Sequence, residues 1–101
     1  MSRRFQFDPA ARLELREVVQ FYEGEAPGLG VEFAAEVRAA IEHVVEHPLS
    51  GTPSEADTRR KLLVRFPYSL VYLPRPRPLT IIAVMHHRRR PGYWLERVTR
   101  R

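Results

Sequence analysis

A chain of 101 residues with 44% hydrophobic and 29% charged side chains is long enough for one compact domain with a modest core and too short for two. Its 17 basic residues against 12 acidic ones leave a net charge of +5 and a pI near 10.4, a basicity carried by arginine because Lys61 is the only lysine. The lack of cysteine excludes a disulfide scaffold and thiolate metal sites, and no apolar run approaches the eighteen or so residues of a membrane helix.

Arg4-Phe5-Gln6-Phe7 alternates polar and aromatic residues, as a short half-buried strand does. Asp8-Pro9 then marks a helix start: an aspartate can cap free N–H groups, and a proline in the first turn gives up only a donor that would stay unpaired. Ala11, Leu15, Val18 and Tyr22 follow at helical spacing on one face, which predicts an amphipathic helix ending near Gly24. Pro27, Gly28 and Gly30 break it, and Phe33, Val37, Ala40, Ile41 and Val44 repeat the helical spacing until Pro48 and Gly51 close the segment after His47. Two helices joined so briefly form an antiparallel hairpin.

Ser50–Asp57 reads as a polar loop, and three strands follow: Arg60–Val64, Tyr68–Tyr72 and Leu79–Met85, each rich in β-branched or aromatic residues. Pro74-Arg75-Pro76-Arg77-Pro78 is a turn, since prolines cannot donate to a ladder. Pro91-Gly92 interrupts again before a short helix over Tyr93–Val98. The order β-α-α-β-β-β with a C-terminal helix or tail predicts a single α+β domain over residues 1–101, its helical hairpin packed on a small, mainly antiparallel sheet.

The charge divides sharply along this order. Residues 1–58 hold five arginines against eleven acids, a net of −6, whereas residues 59–101 hold twelve basic groups against Glu96 alone, a net of +11. Such asymmetry points to a polyanionic or acidic partner for the second half. The candidate contacts are Arg59, Arg60, Lys61, Arg65, Arg88, Arg89, Arg90 and Trp94. Arginines interleaved with aromatics suit single-stranded nucleic acid, with cations on phosphates and rings on bases, and equally an acidic protein segment, because both demand the same charges.

His86 and His87 end the last strand on opposite faces, so one is expected in the core and the other outside. Beside Arg88 an exposed histidine would resist protonation and suit a general base, or it is a structural strand-end residue. Tyr93 and Trp94 either act on a ligand or pack the C-terminal segment against the sheet. His43 and His47 share a helix face without further ligands, so no metal and no other cofactor is expected. There is no phosphate-binding glycine loop, G-x-S-x-G motif or cysteine nucleophile. The N-terminus lacks the apolar stretch of a secretory signal, which places the expected protein in the cytosol.

Taken in order, Tyr22-Glu23, the run Pro27 to Phe33, the run Glu46 to Gly51, Arg65 to Tyr72 and Val84 to Trp94 give the chain a pattern that resembles the RelE/ParE superfamily of type II toxin–antitoxin toxins over nearly its whole length. The resemblance implies a growth-inhibiting toxin, of the kind that stabilises plasmids, held silent by an antitoxin whose C-terminal segment wraps it. That antitoxin would also be the only route to operator DNA. ParE-like members poison DNA gyrase; RelE-like members cut mRNA in the ribosomal A site without a metal. For the second activity the resemblance implies His87, Tyr93, Arg65 and Arg88 as base, acid and charge stabilisers, with Arg60 and Lys61 as basic counterparts on the preceding strand. RelE-like enzymes commonly carry an arginine where this chain has Ser69, a loss of roughly 3–4 kcal/mol by analogy with single-donor deletions. The two-helix length, the Phe66-Pro67-Tyr68-Ser69 corner and the His86 to Arg88 run are closer to the ParE branch. An attenuated toxin serving as an antitoxin-binding, autoregulatory module is a further alternative.

Overall fold

The structure, a computed structural model, describes residues 4–101; Met1–Arg3, part of the N-terminal stretch read for a secretory signal, lie outside the described residues. Strand β1 (Phe5–Phe7) leads through Asp8 into helix α1 (Pro9–Glu25) and helix α2 (Leu29–Glu46). The strands β2 (Thr52–Pro53), β3 (Arg59–Leu62), β4 (Tyr68–Leu73) and β5 (Leu79–His86) follow, and helix α3 (Leu95–Thr99) closes the chain. The sheet order is β1-β5-β4-β3-β2, with β1 parallel to β5 and every other pair antiparallel. The predicted α+β architecture is therefore present. Two features were not expected: a two-residue strand inside the polar loop, paired with Arg59 and Arg60, and the return of the first strand to lie beside the last.

Local chemistry explains the element ends. Asp8 caps α1 by accepting from the Ala10 N–H at 2.9 Å, with Pro9 in the first turn as expected. The Glu23 carboxylate spans the hairpin turn, accepting from the Gly28 N–H at 2.8 Å and the Gly30 N–H at 3.0 Å. Gly28 lies at φ +87°, where a side chain would be strained, and a Cβ at Gly30 would collide with the Val19 carbonyl oxygen. Together they let the two helices turn and pack closely.

The sheet separates two cores. On the helix side Phe33, Val37, Ile41 and Val44 pack with Leu70, Tyr72, Ile81 and Val84. On the far side Val71, Ile82, Ala83 and Met85 are covered by Trp94, only 2% exposed. Two successive residues of β5, Ile82 and Ala83, face the same side because the register against β4 slips between Val71 and Tyr72, where β5 carries one extra residue.

The covering of β5 on its outer edge is the most connected polar feature. β1 pairs only with Leu79–Ile81, its line ending where the Asp8 N–H donates to the Ile81 carbonyl. Beyond that point the backbone is satisfied by side chains. Arg97 donates to the Ile82 carbonyl at 3.0 Å, and Glu14 accepts from the Val84 N–H at 3.0 Å. Arg97 grips Glu14 through both terminal nitrogens, at 2.9 and 2.8 Å, and the Tyr93 hydroxyl donates to the same carboxylate at 2.8 Å. Both charged side chains are only 14% exposed, so removing one strands the other in a poorly hydrated site. Arg97→Ala should lower the free energy of unfolding in a denaturant titration by about 3 kcal/mol and accelerate hydrogen exchange at the Val84 amide.

Candidate functional site

On the far face of the sheet, period-two alternation aligns one row across three strands: Leu62 opposes Ser69, and Ser69 opposes Met85. Arg60, two residues before Leu62, and His87, two after Met85, flank that row. The five residues line a shallow cleft of about 220 Å³. At its floor Ser69, 1% exposed, shares a hydrogen bond of 3.0 Å between its Oγ and Nε2 of His87. The buried Arg60 Nε has no hydrogen-bond partner. No acidic residue lines the cleft, so it is a compact cationic and hydroxyl-bearing surface suited to an anionic group.

The same alternation divides the other basic residues. Arg59 turns to the helix side and is a structural clip, donating to the carbonyls of Leu49 and Gly51, each at 2.9 Å. Lys61 shares the Arg59 side of β3 and, among the described residues, makes no ion pair. Arg65 sits in the turn after β3, bound to Glu32 of α2, while its N–H and that of Val64 go to Glu36. The hydrogen bond and charge of Glu32 raise the Arg65 pKa above the ordinary arginine value. Arg65 is thus committed to the helical hairpin, on the side away from His87.

After β5 the chain turns sharply. The histidines face opposite sides as expected, but neither enters the core: His86 is half-buried against the Tyr68 ring, 4.9 Å between centroids, and His87 is exposed. The reason is that β5 ends here, past the last covered turn of the hairpin, so His86 caps the strand end by accepting from the Arg88 N–H at 3.0 Å. Arg88, Arg89 and Arg90 are all exposed. Arg89 lies 3.8 Å over the Tyr93 ring, and Arg88 and Arg90 have no ion-pair partner among the described residues.

Tyr93 and Trp94 settle as packing residues. Trp94 is buried in the far-side core and presents no surface to a partner. Tyr93 gives its hydroxyl to Glu14 and its ring to Arg89 and Arg97. Burial, then the bond to the Glu14 carboxylate, pushes its pKa well above the usual tyrosine value. Of the four residues His87, Tyr93, Arg65 and Arg88, His87 is bonded to Ser69, Tyr93 to Glu14 and Arg65 to Glu32, and Arg88 has no ion-pair partner among the described residues. His43 and His47 do lie side by side, ring centroids 5.1 Å apart, but no cluster of three or more ligating side chains exists among the described residues.

Sequence reasoning missed the contacts that hold the C-terminal segment down: Glu14 with Arg97, and Asp8, read only as a helix cap, whose carboxylate is 4% exposed and meets Arg101 at 3.0 Å and Arg100 at 3.7 Å. Glu14 lies beside the apolar face of α1, and nothing in its spacing distinguishes it from the solvated glutamates around it.

The profile described as the ParE toxin of the type II toxin-antitoxin system, parDE, matches residues 5–91. The chain belongs to that family. Among solved structures the fold is similar to one from the "Chromosomal ParDE TA system from P. aeruginosa", with a TM-score of 0.72 at 16% identity, covering 81% of this chain and 92% of that one. No curated protein matches. The relation accounts for the β-α-α-β-β-β order, and it places the protein in the ParE branch of the superfamily the sequence resembles.

The state of Tyr93 has a measurable consequence. Its folded pKa is above the unfolded value of about 10, so at higher pH the native state holds a proton that the unfolded chain releases. The stability this contributes is complete below that value and is lost as pH rises beyond it. Unfolding free energy should fall as pH rises above about 10, and Tyr93→Phe should flatten that fall by up to one proton in the slope. An unchanged slope would contradict the buried hydroxyl–carboxylate bond.

Proposed function

We propose that this chain is the toxin of a type II toxin–antitoxin pair, that it arrests growth by acting on DNA gyrase rather than by cutting mRNA, and that a co-encoded antitoxin neutralises it in the cytoplasm. The observation that carries the choice of target is how the groups needed for RNA cleavage are employed. Metal-free cleavage calls for a base on the ribose hydroxyl, a cation on the developing phosphorane charge and an acid at the leaving oxygen, all converging on one phosphate. In this chain the Tyr93 hydroxyl is spent on Glu14 and the Arg65 guanidinium on Glu32. Position 69 carries a serine whose hydroxyl is engaged with His87. His87 and Arg60 remain in the cleft, short of a complete set. Such a surface favours a toxin that works by binding.

Two surfaces support neutralisation by an antitoxin. The exposed cations of the second half, Arg88 and Arg90 among them, suit an acidic segment. Between β1 and the helices runs an apolar groove of about 190 Å³ lined by Phe5, Phe7, Leu15, Val37 and Ile41, with Arg38 and Glu42 at its rim. It offers room for the apolar side of an amphipathic segment that folds on binding.

The experiment is a search of the gene's neighbourhood for a small acidic open reading frame and inducible expression with and without it, joined to a supercoiling assay on purified protein. Growth arrest, a DNA-damage response and blocked supercoiling are expected, with arrest relieved by the neighbour. His87→Ala should leave the arrest intact. Intact supercoiling at a toxic dose, together with codon-position cuts in ribosome-bound mRNA that vanish in His87→Ala, would overturn the gyrase reading.

A further inference from the structure

A buried polar group is almost always paired, and one that is not points to something the protein has still to meet. On the far face of the sheet that group is Arg60. Its Nε is buried without a hydrogen-bond partner, and its guanidinium makes no ion pair with any described residue. The chain is otherwise careful with such arginines: Arg59 is held by two carbonyls, Arg65 by Glu32 and Arg97 by Glu14. Arg60 alone of this set is half-buried and left open toward a cleft.

The rest of the cleft supplies a second donor and no competing acid. Ser69 Oγ lies 3.0 Å from Nε2 of His87; with the imidazole proton on Nε2, the serine accepts that bond and keeps its own hydroxyl hydrogen for a ligand. Leu62 and Met85 complete the lining, and their aliphatic walls keep water from part of the space, which strengthens a charge-assisted bond formed there.

Charge and lining select the occupant. One guanidinium balances one negative charge, and the edge formed by Nε and a terminal nitrogen matches the two oxygens of a carboxylate, with the serine hydroxyl as a third donor. A phosphate monoester would bring nearly two charges. A nucleic-acid strand needs cations along its run and rings for its bases, yet no aromatic side chain lines the cleft, and Arg59 and Lys61 of the same strand lie on the other face. Leu62, 54% exposed at the rim, instead offers contact to an apolar residue beside the carboxylate.

We propose that the Arg60–Ser69–His87 cleft is a socket for one carboxylate, the aspartate or glutamate side chain of an acidic protein segment. This rests on the reading that such a segment, from an antitoxin, covers the basic half of the chain, and it names the residues that anchor it. His87 acts as a positioning residue that orients the Ser69 hydroxyl.

The test is nuclear magnetic resonance of the purified, isotope-labelled chain, following the Arg60 Nε–H and the Ser69 amide during titration with the blocked peptide acetyl-Leu-Glu-Leu-amide, its Gln counterpart, inorganic phosphate and a short single-stranded RNA. The Glu peptide should shift both signals saturably, the Gln peptide should not, and phosphate and RNA should bind more weakly. By the Ser69 amide, Arg60→Gln should weaken the Glu peptide roughly tenfold and Arg60→Lys, which keeps the charge and loses the paired N–H edge, about fivefold. Arg16→Gln, an equal loss of charge on exposed helix α1, should leave the affinity unchanged. Circular dichroism checks that each variant is folded; if Arg60→Gln is not, Arg60→Lys and the ligand comparison on the unaltered chain decide. Undiminished binding in the Arg60 variants, equal binding of the Gln peptide, an equal loss in Arg16→Gln, or tighter binding of phosphate or RNA would overturn the proposal. Relief of growth arrest by a neighbouring acidic open reading frame tests the antitoxin reading separately, since it can succeed while the Glu peptide misses this cleft, or fail while the peptide binds.

Discussion

A strand that stops short of its neighbour leaves backbone donors and acceptors facing outward, and buried groups of that kind must be paired. β5 has this problem at Ile82 and Val84, just past the end of β1. The Glu14–Arg97 pair meets it from two helices at once, one charge supplying an acceptor and the other a donor. Because Glu14 also receives the Tyr93 hydroxyl, the same two residues dock the C-terminal segment over the far-side core. Trp94 can then cover Val71, Ile82, Ala83 and Met85, and Arg100 and Arg101 can reach the Asp8 carboxylate that caps α1. The last residues of the chain are thereby tied to the first helix, which closes the domain on itself.

That docking bears directly on function. A tyrosine six positions after His87 suits proton transfer only if its hydroxyl is free, and here the hydroxyl is part of the clasp. Arg65 is withdrawn in the same way by α2, where Glu32 and Glu36 hold both its side chain and its backbone. In this structure the Tyr93 hydroxyl and the Arg65 side chain are both engaged within the domain. Exposed charge remains on the turns at both ends of the sheet.

Much of the fold was legible because its signals are local. The apolar spacing of Ala11 to Tyr22 and of Phe33 to Val44, the Asp8-Pro9 start and the breakers at Pro27 and Gly28 each specify a helix or its end from neighbours a few residues away. The strands after Thr58 declare themselves by β-branched and aromatic content, with bounds shifted by a residue or two. β2 was not legible, since Thr52-Pro53 has no strand pattern and exists only because Arg59 and Arg60 pass beside it. The bulge in β5 was equally silent: its residues are uniformly apolar, so alternation could not report where it fails.

The candidate site was legible as a set of residue types and not as a place. The sequence by itself determined the helical hairpin, the basic second half, the proline-spaced arginine loop and the resemblance that the family relation bears out. These follow from spacing and composition, which a chain carries before it folds. The tertiary structure alone decided that Arg60 and His87 share a cleft while Arg59 and Lys61 face away, that Trp94 is core, and that Glu14 finds Arg97 across 83 positions of chain. Each depends on which strand faces lie together and on which buried charge finds a partner. Those are long-range facts, set by the requirement to pair every buried polar group once the sheet has formed.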